Sequence, residues 1–401
     1  MAGPTSALAA LRAFSRVSPL PANQPTLAHM TGRILQFGTS RFLQAHVDLF
    51  VHEARETGQQ VGPISVVKTT RDPSRDGRVA ALARPEGYPV VIRGRADGRN
   101  VERRVQVKSV DQAFSAHRDW PAVCDLFTAK ADIVVSNVGD DGYAIAEVDR
   151  RPPALEEVPA GFPAKLLSLL LRRHAAGGKP MLLLPCELIS GNGRVLRGLL
   201  EGLAADWRVP ARFLSWLAAD VTICDTLVNR IVSAALEPAG AVAEPYALWA
   251  IQRRPGFVPP LTHPCIVVTD DLEPYARLKL HILNLGHTYL AEIWRRSGRP
   301  ADETVGTILQ DPAIKGQLET LYRDEIVPGF AARAMADAAR AYVVSTVERF
   351  ENPFLDHPLR DIAQNHAIKI ARRADAFIAW VRERDPGLAL PRLKALAASQ
   401  R

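Results

Sequence analysis

The chain has 401 residues, of which 47% are hydrophobic and 23% are charged, and its formal net charge is +7 at pH 7. This length exceeds what one compact core usually supports, so two domains are expected, and the composition is that of an ordinary globular protein. The sequence has no apolar run near the roughly 18 residues of a membrane helix, which predicts no membrane partner. The positive charge favours anionic ligands. The dispersed basic residues and the lack of a nucleic-acid-binding motif predict no nucleic acid partner.

The four cysteines, Cys124, Cys186, Cys224 and Cys265, are far apart in the sequence. They form neither a CxxC pair nor a cluster with histidines, so the sequence predicts no metal site. Isolated cysteines fit a reducing compartment better than secretion, which predicts a cytoplasmic location.

Residues 1–30 are rich in alanine, serine and proline and carry Arg12 and Arg16 without any acidic residue. Two interpretations are open, a transit peptide and a flexible N-terminal arm. We assign the segment as a flexible N-terminal arm, outside the folded domains.

A short apolar strand, a glycine and a helical segment follow the arm. Residues 34–37 predict a buried strand, Gly38 ends it, and a helical period begins near Phe42. This order opens a dinucleotide-binding unit, in which the helix N-terminus faces the pyrophosphate. The usual G-x-G-x-x-G is reduced to Gly38-Thr39-Ser40, so this motif alone is a weak signal. The cofactor-binding residues predicted here are Phe37, Gly38, Thr39, Ser40, Arg41 and Phe42.

The second predicted strand, residues 64–69, bears on the choice of cofactor. An acidic residue after this strand selects NAD by binding the ribose hydroxyls. Asp72 is the candidate for that role, whereas Lys68 or Arg71 could accept the 2′-phosphate of NADP. We predict NAD and leave NADP open, and the alternative for all three side chains is a solvated loop.

The remaining pattern predicts an α/β fold. Further β structure is predicted at residues 90–94, 101–110, 132–137, 181–185 and 266–269. Helical periodicity is found at residues 211–232, 309–327, 330–347 and 361–381. We therefore predict a Rossmann-like dinucleotide-binding domain over residues 31–270, followed by a mostly α-helical domain over residues 271–401 that carries the substrate and catalytic residues.

Residues 270–287 read DDLEPYARLKLHILNLGH and predict a buried helix. Its start is marked by three acids and Pro274, because acids and proline are favoured in a first turn. Three polar side chains, Lys279, Asn284 and His287, interrupt the apolar surface that follows. At about 100° per residue they share one broad side of the helix.

These three side chains suit proton transfer and charge stabilisation. Burial lowers the pKa of a lysine, so Lys279 could act as a general base near neutral pH. Asn284 offers an amide donor to a developing oxyanion, and His287 could orient the lysine or a substrate hydroxyl. The alternative is a helix whose lysine reaches water, with the other two residues on the surface.

The pattern D-D-x-x-P-Y-x-x-x-K-x-x-x-L-N-x-x-H resembles the polyol-specific long-chain dehydrogenases. That family includes mannitol dehydrogenases, mannitol-1-phosphate dehydrogenases, and fructuronate and tagaturonate reductases. The matching residues are Asp270, Asp271, Pro274, Tyr275, Lys279, Leu283, Asn284 and His287. The resemblance implies that Lys279 is the catalytic base, Asn284 the oxyanion donor and His287 an active-site histidine. Leu285-Gly286 stands where many relatives have Gly-Ser, a form closer to the mannitol-1-phosphate branch.

Other stretches extend the resemblance. The family's glycine turn, roughly F-G-x-G-x-F-x-R-A-H, is matched except at Ser40 and Gln44. The resemblance places Asn137 beside the nicotinamide. Leu188 occupies the position of a second oxyanion asparagine in mannitol dehydrogenases, and the surrounding C-E-L-I-x-x-N-G resembles the tagaturonate reductases.

The same resemblance suggests the substrate-binding residues. Arg230 lies in a V-N-R-I run that relatives carry as V-D-R-I, and it could either touch substrate or form a structural salt bridge. An R-F-x-N-P run begins at Arg349 and precedes the family's substrate-binding helix. On that helix the family's basic residue falls on Lys369, and Asp361 replaces an arginine of the mannitol dehydrogenases. The predicted substrate-binding residues are Arg230, His357, Asn365 and Lys369.

Together these features predict a metal-independent NAD(P)-dependent oxidoreductase with a lysine base. It would interconvert a secondary alcohol of an open-chain polyol or sugar acid and the matching keto compound, with a tagaturonate or fructuronate reductase as the best match. A mannitol-1-phosphate dehydrogenase and a neutral polyol dehydrogenase acting on mannitol or arabinitol are alternatives. A dinucleotide-binding protein without catalysis is an alternative of another class. A monomer or small homo-oligomer is expected.

Overall fold

The computed structural model describes residues 32–154, 156–255 and 257–399, so the arm predicted at residues 1–30 lies outside the described residues. Within this described part, no helix is both long and apolar enough to cross a membrane. Its strands are β1 (Arg33–Phe37), β2 (Ile64–Lys68), β3 (Tyr88–Ala96), β4 (Arg99–Val107), β5 (Val110–Ser115), β6 (Ala131–Ser136), β7 (Met181–Pro185), β8 (Val221–Ile223), β9 (Thr226–Asn229), β10 (Val232–Ala235), β11 (Ala241–Ala243), β12 (Leu248–Gln252) and β13 (Ile266–Thr269).

Helices alternate with strands in the first part of the chain and dominate after β13. They are α1 (Arg41–Gln44), α2 (Val47–Glu56), α3 (Asp76–Leu82), α4 (Trp120–Ala129), α5 (Phe162–Ala175), α6 (Asn192–Asp206), α7 (Ala211–Asp220), α8 (Glu273–Leu278), α9 (Leu285–Arg296), α10 (Val305–Ile308), α11 (Pro312–Leu321), α12 (Val327–Ala331), α13 (Ala336–Phe350), α14 (Leu359–Ile362), α15 (His366–Ile370), α16 (Ala376–Arg382) and α17 (Pro391–Ala398). Short 3₁₀ turns cover Pro73–Arg75, Asp140–Tyr143 and Glu147–Arg150, and π-helical turns cover Lys279–Asn284, Tyr322–Ile326 and Ala371–Asp375.

Six strands form a parallel sheet in the order β5-β2-β1-β6-β7-β8. Counted within this sheet, the order is 3-2-1-4-5-6, which is that of a Rossmann fold. Its strands are apolar runs because both faces are covered. Successive side chains of β1 point to opposite faces of the sheet: Ile34 packs into one apolar core, and Leu35 and Phe37 pack into the other. The strand order reverses between β1 and β6, and a ligand crevice is expected at that point.

The predicted β excursion is a hairpin of β3 and β4. Asp97 and Gly98 form its two-residue turn, both with positive φ (55° and 73°), as a type I′ turn requires. The hairpin joins β10 and β11 in a four-stranded sheet, and β9, β12 and β13 form a three-stranded sheet.

The helix predicted over residues 211–232 is wrong in its second half. Helix α7 ends at Asp220, and β8, β9 and the start of β10 follow. Residues 221–223 add β8 to the edge of the parallel sheet beside β7, and β9 pairs with β12. Strand pairing by β-branched residues therefore overrides the local helical periodicity.

The helical region begins where the sequence predicted it. The carboxylate of Asp271 accepts the Glu273 amide at 2.8 Å, and Pro274 lies in the first turn of α8. The α8 and α9 helices and the later helices share one apolar core, which also receives Tyr246, Leu248, Ala250 and Val267 from the preceding strands. This shared core seats the helical region against the sheets.

Candidate active site

A cavity of about 440 Å³ lies between the carboxyl edge of the parallel sheet and the helical region. The residues lining it are Phe42, Asn137, Cys186, Leu188, Val228, Asn229, Arg230, Ile231, Lys279, Leu283, Asn284, His287, His357, Asp361, Ile362, Lys369 and Arg373. It therefore brings together most of the residues singled out in the sequence, from positions more than 300 apart.

The glycine turn after β1 allows a close approach of backbone. Gly38 has φ +118°, and a Cβ there would overlap the Asn137 carbonyl oxygen. Ser40, which stands where a second glycine is usual, accepts the Leu43 amide at 3.2 Å and so caps α1. Its hydroxyl also donates to Asn137 Oδ1 at 2.9 Å. The serine that stands in place of the glycine thus links the loop after β1 to the loop after β6.

This turn fits a dinucleotide. It lies at the reversal point of the sheet, where the crevice is expected, and Gly38 allows the tight turn after β1 that a dinucleotide-binding unit requires. Phe37 ends β1 in the core, Thr39 is buried and Arg41 is exposed at the start of α1. Asn137 is held across the crevice, because its Nδ2 donates to the Cys186 carbonyl at 2.9 Å.

Side chains after β2 bear on the ribose end of the cofactor. The exposed Asp72 accepts the Ser74 amide at 2.9 Å and lies 3.5 Å from the Arg75 Nε. Lys68 is buried, and its ammonium contacts the Asp72 carbonyl at 2.7 Å and the Asp76 carboxylate. Lys68 is therefore engaged within the protein, whereas Arg71 is exposed.

Glu187 is a buried carboxylate at the edge of the site that the sequence reading missed. It accepts the Ser136 hydroxyl at 3.0 Å, the Tyr143 hydroxyl at 3.0 Å and the Val138 amide at 3.2 Å. Burial raises its pKa. These bonds hold the loop after β6 against the loop after β7. An acidic residue two positions after a buried strand was the available signal.

Lys279 is partly buried in the cavity wall, and its Nζ donates to the Val228 carbonyl at 2.9 Å. Burial, reinforced by the positive charge of Arg349, lowers the pKa of Lys279 to about 8. Neutral lysine is therefore well populated slightly above neutral pH, as a general base requires.

Lys279, Asn284 and His287 all line the cavity, but not on an uninterrupted α-helix. The chain from Lys279 to Asn284 forms a π-helical turn between α8 and α9. The expected α-helix is therefore wrong over these six residues. Such turns are often found at functional sites, and apolar periodicity does not distinguish them from α-helix.

Two histidines meet at the cavity wall. The ring centroids of His287 and His357 are 4.9 Å apart, and that of Phe350 is 4.4 Å from His287. In the described structure the buried His287 Nε2 and His357 Nδ1 have no hydrogen-bond partner. Burial first, and the nearby His357 second, lower the pKa of His287 well below its usual value. His287 is thus a neutral imidazole with a nitrogen left to bind a ligand.

Two of the predicted substrate residues lie differently from the rest. Arg230 lines the cavity, but its guanidinium donates to the Glu244 carbonyl at 2.8 and 3.0 Å and to the Ala45 carbonyl at 2.6 Å. It therefore ties backbone segments together without the predicted salt bridge.

Asn365 is exposed in a left-handed conformation before α15 and is not among the lining residues, so the structure does not bring it to the cavity.

Arg373 is a lining residue that the sequence reading missed. It lies four residues after Lys369, and its Nη1 donates to the Asn284 carbonyl at 2.9 Å and to the Thr288 hydroxyl at 2.7 Å. Burial lowers its pKa to about 10. The i, i+4 spacing from Lys369 was a signal that the two cations share one side of the helix.

Activity is expected to survive prolonged dialysis against EDTA. The residues that the structure describes contain no group of three or more His, Cys, Asp or Glu side chains placed to hold a metal ion. We also expect Lys279 and Asn284 to supply a base and an amide donor without a metal ion. Turnover should be measured after dialysis, with and without added Zn²⁺. A loss of activity that Zn²⁺ restores would contradict the prediction.

Comparisons with known proteins cover nearly all of the described chain. Residues 32–258 match the mannitol dehydrogenase Rossmann domain, and residues 271–399 match the mannitol dehydrogenase C-terminal domain. With the sheet and cavity described above, they define an oxidoreductase, a dehydrogenase that acts on a CH–OH group. The chain belongs to the mannitol dehydrogenase family, which confirms the resemblance drawn from its sequence.

Individual relatives agree. The chain is 32% identical over 369 residues to an altronate oxidoreductase of Yersinia pestis, covering 85% of this chain and 73% of the relative. It is 29% identical to an altronate oxidoreductase of Halalkalibacterium halodurans, covering 85% and 69%. Among solved structures, D-sorbitol dehydrogenase in substrate-free form has a TM-score of 0.77 at 21% identity, covering 95% and 83%. Pseudomonas fluorescens mannitol 2-dehydrogenase in a ternary complex with NAD and D-mannitol has a TM-score of 0.71 at 20% identity, covering 92% and 78%. The two structures confirm the predicted fold class.

Proposed function

We propose that the chain is an NAD-dependent oxidoreductase that interconverts a secondary alcohol of an open-chain sugar acid and the matching keto acid, as in the pair altronate and tagaturonate. The observation that carries this proposal is the layout of one cavity. The cavity is lined by Lys279, whose lowered pKa suits proton transfer, and by two cations, Lys369 and Arg373. The side of the cavity with Lys279 suits an alcohol, and the side with Lys369 and Arg373 suits a carboxylate.

The chemistry follows from the side chains around the alcohol. When bound, the nicotinamide of NAD takes up the hydride from the carbinol carbon. Lys279 accepts the hydroxyl proton, and its bond to the Val228 carbonyl holds the amine in place. The Asn284 amide donates to the oxygen as negative charge develops there, and His287 orients the substrate hydroxyl. In the reverse direction the protonated Lys279 returns the proton.

The charged end is built on the chain from α14 to the last π-helical turn. The Lys369 Nζ donates to the Ile362 carbonyl at 2.7 Å, which anchors the side chain at the wall. Arg373 is anchored by Asn284 and Thr288. In the described lining, Asp361 is the only carboxylate among several cationic side chains, so the cavity favours an anionic substrate.

The relatives support a sugar acid. The proteins named altronate oxidoreductase match 85% of this chain at about 30% identity. The C-E-L-I run at residues 186–189 agrees with the same branch, because Leu188 removes an amide that a neutral polyol dehydrogenase would carry there.

Other substrates have some support. The Asn-Leu-Gly-His form of residues 284–287 favours a phosphorylated polyol such as mannitol 1-phosphate. Asp361, and the likeness of the fold to a mannitol 2-dehydrogenase, favour a neutral polyol such as mannitol or arabinitol. The reduced glycine pattern favours a dinucleotide-binding protein without turnover. The partner in each enzymatic case is a small molecule.

A substrate panel tests these alternatives. Neutral, carboxylated and phosphorylated polyols are assayed by NADH formation on wild type, on Lys369→Ala and on the control Lys394→Ala, an exposed lysine of α17. We expect the carboxylated substrates to have the highest kcat/KM. Loss of one charged hydrogen bond of about 1.5–3 kcal/mol should then reduce that advantage by roughly 10- to 100-fold in Lys369→Ala alone.

The panel can also overturn the proposal. If mannitol or arabinitol is oxidised best and Lys369→Ala changes little, the chain is a neutral polyol dehydrogenase. If phosphorylated polyols are oxidised best, the anionic site stands but the sugar acid does not. If NADH binds by fluorescence titration while no substrate is turned over, the chain binds a dinucleotide without catalysis.

We also propose the division into domains near residue 270, together with a monomeric or small homo-oligomeric state in the cytoplasm. Two apolar cores that lie entirely before residue 270, and the boundaries of the two family matches, support the division. Light scattering would measure the oligomeric state.

A further inference from the structure

The helix that carries the proposed catalytic residues is interrupted by the π-helical turn Lys279–Asn284. The Leu285 amide donates to the carbonyls of Ile282 and Leu280, three and five residues back, in place of the regular four-residue α pattern. A π-helical turn is rare because its hydrogen bonding is less favourable than that of an α-helix, so surrounding contacts must stabilise it.

Two side chains supply such contacts to carbonyl groups of this turn. The Tyr322 hydroxyl donates to the Ile282 carbonyl at 2.9 Å, in a fully buried position. The Arg373 guanidinium donates to the Asn284 carbonyl at 2.9 Å. Tyr322 begins the second π-helical turn of the chain, and Arg373 lies within the third. All three turns therefore meet at the helix that carries Lys279.

The approach of Tyr322 depends on a glycine. A Cβ on Gly286 would overlap the Tyr322 hydroxyl oxygen, and it would lie 3.0 Å from Phe350 Cε2 and 3.1 Å from Tyr322 Cζ. The Tyr322 hydroxyl can therefore reach the Ile282 carbonyl only because residue 286 has no side chain. Gly286 directly precedes His287 on α9, so Tyr322 packs against the same helix that carries the proposed active-site histidine.

We propose that Tyr322 and Gly286 are a pair of positioning residues that hold the π-helical turn, and with it the relative placement of Lys279, Asn284 and His287. Neither residue lines the cavity, so neither binds the substrate directly. The extra residue in the turn sets how far the amine of Lys279 lies from the amide of Asn284. Loss of the Tyr322 bond lets the turn relax toward α geometry and misplaces the two groups. This inference rests on the catalytic roles proposed above.

The first test is Tyr322→Phe, which keeps the ring and removes only the hydroxyl. One buried hydrogen bond is worth about 0.5–1.5 kcal/mol, so kcat should fall by roughly 2- to 10-fold. The dissociation constant for NADH, measured by fluorescence titration, should stay unchanged because the glycine turn after β1 is remote. The matched control is Tyr289→Phe on α9, whose hydroxyl interacts with Arg392 and which should retain wild-type kcat.

Backbone amide exchange, which needs no substrate, is measured beside the kinetics. Backbone amide exchange in residues 279–288 should be faster in Tyr322→Phe than in wild type and unchanged in Tyr289→Phe. A merely supportive role in the core would destabilise the whole helical region and speed exchange there uniformly. Exchange that is uniform, or equal to wild type, overturns the proposal.

The second test uses the steric overlap between a side chain at residue 286 and the Tyr322 hydroxyl. Gly286→Ala alone should lower kcat by more than Tyr322→Phe does, because its methyl group displaces the tyrosine. The double variant Gly286→Ala/Tyr322→Phe should recover part of that loss, since the overlap with the hydroxyl is gone and only contacts at 3.0 and 3.1 Å remain. Losses that simply multiply would overturn the coupling. If Gly286→Ala does not fold, Tyr322→Phe alone decides.

The outcomes separate this inference from the proposed function. If Lys279→Ala is inactive while Tyr322→Phe equals wild type in kcat and exchange, only the positioning role fails. If Lys279→Ala turns over normally, the proposed mechanism fails first, and amide exchange still reports whether Tyr322 holds the turn.

Discussion

Replacement of Lys279 by alanine is expected to lower kcat by about 10²–10⁴ while NAD(H) still binds, because that range is typical of a positioned general base. The lysine is partly buried and donates to the Val228 carbonyl, and its neutral form is accessible near neutral pH. The cofactor turn at residues 38–40 lies on a different element. The measurement is steady-state turnover beside a fluorescence titration with NADH.

The pH dependence of the rate tests the same role of Lys279, because oxidation and reduction need opposite protonation states of the lysine. With the Lys279 pKa near 8, alcohol oxidation in wild type should increase as pH rises through about 8, because deprotonated lysine accumulates. Carbonyl reduction should instead increase as pH falls through the same value, since protonated lysine is the donor. Both dependences should be absent from the residual activity of Lys279→Ala.

Lys279→Met is the matched control, because it keeps most of the side-chain volume and removes the amine. It should be as inactive as Lys279→Ala and better folded. Turnover near the wild-type rate at pH 7–8 in either variant would remove Lys279 from the role of base.

Replacement of Arg349 by methionine is expected to lower the free energy of unfolding by about 3–5 kcal/mol, as is typical when one partner of a buried ion pair is removed. The Arg349 Nε and Nη2 each donate to one Glu244 carboxylate oxygen at 2.8 Å. Its Nη2 also lies 3.2 Å from Asn229 Oδ1, and its guanidinium lies 4.2 Å from the Tyr246 ring centroid. Without the arginine, the buried carboxylate of Glu244 loses its ion-pair partner.

The measurement is urea denaturation followed by circular dichroism. Arg340→Met on the same helix, α13, is the control, because Arg340 pairs with the exposed Asp337 and such surface pairs contribute about 0–1 kcal/mol. The double variant Arg349→Met/Glu244→Met should recover part of the loss, since the buried carboxylate left without its partner is then removed as well. An Arg349→Met protein as stable as Arg340→Met would show that the buried pair does not stabilise the fold.

The sequence by itself was enough to predict the parallel sheet, the helical region and the signature helix. The strands of the sheet are buried on both faces, so they read as apolar runs between turn residues, and the order of elements then predicts a Rossmann-like fold. The family followed from the resemblance of residues 270–287 to the signature helix of the polyol-specific long-chain dehydrogenases, which eight residues match in one register.

Other features were decided only by the tertiary structure. Strands β8 and β9 replaced a predicted helix because their partners, β7 and β12, are distant in sequence. Asn365 is not among the lining residues of the cavity and Arg373 is, because helix packing, not spacing from a motif, determines which side of a helix faces the cavity. The π-helical turn depends on Tyr322 and Arg373, which approach it from other helices. Local periodicity reports which residues are buried, whereas the contacts that stabilise an irregular turn come from elsewhere in the chain.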